Sequence, residues 1–193
     1  MKRIAVYCGS ASPADPVYIE AARHVGRTLA ERGIGLVYGG GRLGLMGAVA
    51  DAALEAGGEV IGIIPEALVN AEVAHRGLTT LEVVQTMHER KARFVDLADG
   101  FVNLPGGTGT MDELWEALSW AQLGYHSDPI GLLNIAGYYD KLVEFWEHMG
   151  RVGFVRPQHQ GLLIVDTTLE GLLDKLASAQ PAVPIIHMKR EDL

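Results

Sequence analysis

Two stretches of the chain hold most of the residue types able to do chemistry. In Pro105-Gly106-Gly107-Thr108-Gly109-Thr110-Met111-Asp112-Glu113, glycines, two threonine hydroxyls and an acidic pair gather at the opening of one predicted helix. Glycine lets backbone N–H groups come close to an anion, and a helix N-terminus adds unpaired N–H groups and the positive end of its dipole, so phosphate is the obvious guest. Asp112 reads as a dipole partner or cap. Glu113 sits with Glu116, Ala117 and Trp120 on a partly apolar helix face. An ionised carboxylate there suits stabilising positive charge or nucleophilic attack better than acting as a neutral general acid. The second stretch supplies cations. Met87, Arg90, Lys91, Phe94 and Ala98 follow i, i+3, i+4, i+7 spacing on a predicted helix over residues 86–98, so Arg90 and Lys91 share a stripe with Met and Phe. They either snorkel from the core edge or face a crevice and bind phosphate. Glu89 and Arg93, four apart, are expected to form a solvent-side pair.

These residues need a frame, and the apolar runs supply it. Strand-length runs recur over 3–8, 34–38, 59–64, 81–84, 100–104, 130–134 and 162–165. Helical periods over 17–32, 43–56, 86–98, 110–123, 138–150 and 169–179 lie between most of them, the pattern of right-handed βαβ units. The expected fold is α/β, a Rossmann-like open parallel sheet with helices on both faces, in a single domain spanning 1–193. Segment 65–80 shows no clear period and is expected to be a loop or short helix across the strand ends. Three glycine turns follow strands: Gly9-Ser10, Gly39-Gly40-Gly41-Arg42-Leu43-Gly44 and the turn at 105–110. All should open at the same edge, where open parallel sheets bind ligands. Gly39–Gly44 also fits G-x-G-x-x-G, with Glu66 near the offset of a ribose-binding acid, but it follows the second strand, and helix–sheet packing through Gly44 and Gly47 explains it equally well.

Composition narrows the function classes. Sixteen Lys and Arg against 24 Asp and Glu give a net charge of −8, which repels nucleic acid on average. The single cysteine, Cys8, cannot form an intrachain disulfide and suits a reducing compartment, so a cytoplasmic protein is expected. The opening apolar run is too short for a signal peptide, and no run is long enough to span a membrane. The seven histidines show no H-x-x-x-H and no Cys pair accompanies them, so no metal site is expected.

Taken together, Met87-His88-Glu89-Arg90-Lys91 and Pro105–Glu113 resemble the paired signature of the Lonely Guy (LOG) family, whose second motif reads P-G-G-x-G-T-x-x-E. The likeness extends over nearly the whole chain, through Cys8-Gly9-Ser10, Tyr38–Gly41 with Gly44–Gly47, Val60–Pro65 and Trp120–Gly124. It implies a cytokinin-activating phosphoribohydrolase that cuts the N-glycosidic bond of a cytokinin riboside 5′-monophosphate to free base and ribose 5-phosphate, as a homodimer without metal or organic cofactor. Carried over by position, Glu113 matches the family's active-site acid and Arg90 its catalytic arginine. Lys91, Glu72, the Gly107–Thr110 loop and Ser119 match substrate contacts. Thr108 stands where plant members usually have Tyr, Asp112 replaces a Glu, and Ala11 and Pro13 interrupt the usual stretch after Ser10.

The assignment is physically coherent, because breaking a ribosyl C–N bond builds oxocarbenium-like charge at C1′ that a carboxylate can match. Glu113 would supply that charge. Arg90, Lys91, Met87, Gly106, Gly107, Thr108, Gly109 and Thr110 would take the phosphate and part of the ribose, while Gly9, Ser10, Gly40 and Gly41 frame the rest of the nucleotide. AMP is an expected alternative substrate. A rival reading is a nucleotide-binding carrier or sensor that holds its ligand uncut. A second rival, the lysine decarboxylase label often given to this family, needs a lysine placed to carry a pyridoxal cofactor, and Lys91 is the only lysine in a motif.

Overall fold

In the computed structural model, which describes residues 1–69, 74–181 and 183–186, the strands are β1 (Arg3–Tyr7), β2 (Gly35–Tyr38), β3 (Val60–Pro65), β4 (Thr80–Val84), β5 (Phe101–Asn103), β6 (Ile130–Leu133) and β7 (Leu163–Asp166). The helices are α1 (Pro16–Glu31), α2 (Gly44–Glu55), α3 (Met87–Leu97), α4 (Thr108–Leu123), α5 (Asp140–Arg151) and α6 (Leu169–Ser178). All seven strands lie parallel in one sheet, in the order β4-β3-β2-β1-β5-β6-β7. The Rossmann-like expectation holds, and each expected strand is present within a residue or two of its expected ends.

The apolar runs read as strands because both faces of the sheet are buried, as parallel sheets require. Ile4, Val6, Leu36, Tyr38, Val60 and Val102 face α1, α2 and α6, whereas Ala5, Tyr7, Val37, Ile61 and Phe101 face α3, α4 and α5. Local signals fix the helix starts. Asp15 accepts a hydrogen bond from the Val17 N–H with Pro16 at the first helical position of α1, and Thr168 caps α6. The segment after β3 forms one 3-10 turn, Glu66–Leu68, and Ala74 bridges back to Gly41. Exposed Glu66 lies in that turn and does not line the cleft described below.

The strand order puts β1 between β2 and β5, so the chain leaves β1 toward α1 on one face and leaves β5 toward α4 on the other. This divergence opens a crevice at the carboxyl ends of the strands. A backbone hydrogen bond from the Gly9 N–H to the Pro105 carbonyl, at 3.1 Å, ties the two loops across it. No helix among the described residues is long and apolar enough to cross a membrane.

Candidate active site

Two charged side chains meet at the crevice. Arg90 comes from the first turn of α3, which a capping box fixes: the Thr86 side chain accepts from the Glu89 N–H, and the Glu89 carboxylate accepts from the N–H groups of Thr86 and Gln85. This corrects the expected Glu89–Arg93 pair. Glu89, three residues past the cap, turns back to orphan N–H groups at the helix start, and Arg93 instead makes a bidentate pair with Glu82 of β4.

Arg90 is 5% exposed and held from three sides. Its Nε donates to the Ile63 carbonyl and its Nη2 to the Gly39 carbonyl, both at 3.0 Å. Its guanidinium carbon lies 5.6 Å from the centroid of Phe94, one helical turn along. One carbonyl belongs to β3 and the other to the residue that follows β2, so a cation that burial would penalise is compensated by backbone dipoles. Nη1 points toward Glu113, with Oε1 3.9 Å away. Gly39 is required by this approach, since a Cβ there would sit 2.2 Å from Nη2.

Glu113 comes from the second turn of α4 and has a 12% exposed side chain. The preceding glycine turn shapes that helix start. Gly107 occupies the capping position without a side-chain cap, which leaves the first-turn N–H groups of Thr108, Gly109 and Thr110 to an occupant of the crevice. Gly106 must lack a Cβ because one would fall 2.1 Å from Thr110 Oγ1.

These groups line one cleft of about 200 Å³, with Gly9, Ser10 and Gly39 on one side and Gly107, Thr108, Gly109, Thr110, Arg90 and Glu113 on the other. Val6, Cys8 and Met46 complete its wall. Sequence reasoning missed those three; their one signal was that Cys8 and Met46 adjoin glycine turns. Burial pushes the Cys8 thiol far up, so it stays neutral. Burial likewise raises the Tyr7 phenol, helped by the negative charge of Glu113.

Other expected site residues lie elsewhere. Gly40 packs against Ile64 and Leu81, and Gly41 forms the bridge to Ala74. Lys91 leans away from the cleft to join α3 to α4, with Nζ 2.8 Å from Asp112 Oδ2 and 3.2 Å from Glu116 Oε1. Burial would lower its pKa, but these two carboxylates outweigh that and hold it above the ordinary lysine value. Met87 is exposed, and exposed Ser119 donates its hydroxyl to the Trp115 carbonyl one turn back. Gly106 lines an adjoining lobe. Glu72 lies outside the described residues.

A seven-stranded parallel sheet with an arginine–glutamate pair at the mouth of a glycine-lined helix start defines a single-domain α/β protein with a polar cleft at its topological switch point. The family described as "Possible lysine decarboxylase" matches residues 46–176. A cytokinin riboside 5′-monophosphate phosphoribohydrolase of Arabidopsis thaliana is 43% identical over 188 residues, covering 97% of this chain and 87% of the relative. Another, of Rhodococcoides fascians, is 43% identical over 178 residues, covering 92% and 90%. The chain belongs to this family, the LOG family of hydrolases. Among solved structures, a molybdenum cofactor carrier protein of Chlamydomonas reinhardtii superposes with a TM-score of 0.69 at 22% identity, covering 91% of this chain and 94% of that one, a likeness of fold alone.

The lysine decarboxylase description would require an amine placed to hold pyridoxal phosphate. The cleft does not fit that group. Lys91 is bound by Asp112 and Glu116, Lys141 by Glu144 and Lys175 by Asp166, and among the described residues no lysine lines the cleft.

Proposed function

We propose that this protein hydrolyses the N-glycosidic bond of nucleoside 5′-monophosphates, cytokinin riboside 5′-monophosphates and AMP among them, to free base and ribose 5-phosphate. The observation that carries the reading is that Glu113, Arg90 and the uncapped start of α4 line the same small cleft. The 5′-phosphate sits on the N–H groups of residues 107–110, where the helix dipole favours an anion. That anchor sets the ribose beside Glu113, so binding energy at a remote group orients C1′. As the C1′–N bond breaks, its electron pair leaves with the base nitrogen and positive charge grows at C1′ and the ring oxygen. The Glu113 carboxylate opposes that charge, either by attacking C1′ or by orienting water. Water supplies the hydroxyl that ends on C1′ and the proton that ends on the base. Arg90 Nη1 holds Glu113 and donates to the ribose.

The relatives named above as cytokinin riboside 5′-monophosphate phosphoribohydrolases support the substrate class. A carrier that holds its nucleotide uncut gains nothing from a carboxylate near the phosphate, so the cleft favours hydrolysis. The protein acts as a homodimer in this reading, which light scattering after size-exclusion chromatography tests. Incubation with AMP and with isopentenyladenosine 5′-monophosphate, followed by chromatography, should give base and ribose 5-phosphate in equal amounts. No base from either nucleotide, or base without ribose 5-phosphate, overturns the proposal.

A further inference from the structure

Three successive carbonyls lead into the glycine turn that starts α4, and each has a donor within the protein. The Tyr139 hydroxyl donates to the Leu104 carbonyl and the Tyr138 hydroxyl to the Gly106 carbonyl, both at 2.6 Å. Between them the Pro105 carbonyl accepts from the Gly9 N–H.

The two tyrosines come from the turn between β6 and α5, whose backbone its residues do not favour unaided. Ala136, with φ of 51°, and Gly137, with φ of 70°, are both left-handed, a conformation that the Ala136 side chain disfavours. Buried Asn134 closes the turn. Its Nδ2 donates to Asp140 Oδ1 at 2.7 Å, and its Oδ1 accepts from the Tyr139 N–H at 2.8 Å. Adjacent rings, crossing at 85°, are thereby brought to bear on the same loop.

The two hydroxyls do different work there. Tyr139 is buried, and the Leu104 carbonyl that it binds belongs to the peptide before Pro105, which has no N–H. That bond satisfies a buried oxygen and aims no donor. Tyr138 is 46% exposed and, with Tyr18, walls the lobe beside the polar cleft. The Gly106 carbonyl that it binds shares a trans peptide plane with the Gly107 N–H, which therefore points the opposite way. Gly107 lines the polar cleft and Tyr138 does not, so the N–H opposite Tyr138 is directed at the cleft.

Resting on the reading that a 5′-phosphate sits at this turn, we infer that Tyr138 is a positioning residue of the phosphate site. Its hydroxyl fixes the Gly106–Gly107 peptide with the carbonyl toward the lobe and the N–H toward the phosphate. Without that bond the peptide, set between two glycines, is free to turn and present its carbonyl oxygen to the anion.

Tyr138→Phe removes the hydroxyl and keeps the ring, and Tyr139→Phe makes the same change one residue on. Calorimetry with inorganic phosphate and with AMP, on the full chain carrying Glu113→Gln to prevent turnover, is paired with thermal unfolding of the same proteins. Tyr138→Phe should weaken phosphate and AMP by the same factor, about three- to tenfold, the worth of one hydrogen bond. It should leave Tm within about 2 °C, because water reaches half-buried Gly106 and bonds its carbonyl in either orientation. Tyr139→Phe should do the reverse, lowering Tm by about 2–10 °C as a buried oxygen loses its donor, with both affinities held within about twofold. Phosphate binding unchanged by Tyr138→Phe, AMP weakened without phosphate, or two tyrosine variants that act alike overturns the inference. The nucleotide reading is scored separately, by base release from AMP with the unsubstituted protein, so its failure and the failure of the Tyr138 role are distinguishable.

Discussion

Gly39→Ala places a methyl group where the cleft has no room for one. The new Cβ would stand 2.2 Å from Arg90 Nη2 and 3.1 Å from Met46 Sδ. The backbone of Gly39 has no positive φ, so the substitution acts by contact and not by strain. Arg90 is buried and tethered at Nε, so its guanidinium can yield only by losing the 3.0 Å bond to the Gly39 carbonyl and shifting Nη1 relative to Glu113. A hydrogen bond from a charged donor contributes about 1.5–3 kcal/mol. Loss of that order in positioning the pair corresponds to a fall of roughly ten- to hundred-fold in kcat/KM for AMP hydrolysis. Arg90→Ala should cost at least as much, and the Gly39→Ala/Arg90→Ala double variant should cost no more than Arg90→Ala alone, because the first change acts through the second residue. Base release by chromatography over a range of AMP concentrations measures all three. Parental activity in Gly39→Ala, or a double variant whose losses multiply, refutes the reasoning.

Other consequences follow from the same contacts. Lys91→Met removes the cation between Asp112 and Glu116 and should lower stability by about 1 kcal/mol, discounted because Asp112 is largely exposed; urea titration measures it, and unchanged stability would mean the ion pairs join nothing of consequence. The buried, neutral Cys8 thiol should react with a thiol reagent at least a hundredfold more slowly in the native protein than in urea, and equal rates would show that the cleft wall is open. Hydrogen bonds from Lys175 and Thr168 hold the Asp166 carboxyl well below the usual carboxylate range. Its contribution is therefore present above the unfolded value of about 3.9 and is lost as pH falls through the lower folded value. Asp166→Asn should lower stability at pH 7 by up to about 1 kcal/mol, given the half-exposed Lys175, and the gap from the parent should close in acid; a gap independent of pH contradicts this.

The sheet was legible in the sequence because strands buried on both faces are written as uninterrupted apolar runs, and Val60–Pro65 or Ile130–Leu133 could be little else. The helices between them then required parallel crossovers. The chemistry was partly legible: the glycine turns, Arg90 and Glu113 converge as their places at strand ends and helix starts imply. Side-chain direction was less so. Helical spacing put Arg90 and Lys91 on one stripe, but it could not show that the carbonyls of Ile63 and Gly39 claim the first while acids of α4 claim the second. Glu89 was misread for the same reason, since a spacing of four suggests a pair while the capping position three residues past Thr86 competes for the same carboxylate. The tyrosine-walled lobe joins residues more than a hundred positions apart, Tyr18 and Tyr138, which no local pattern connects.

The central claim is that the charge of Glu113 drives bond cleavage, and Glu113→Gln keeps the side chain's shape while removing that charge. With AMP, base release should fall by about 10²–10⁴-fold while the dissociation constant, read by calorimetry, changes less than about threefold. Base release at the parental rate, or a loss of binding as large as the loss of turnover, would contradict the account.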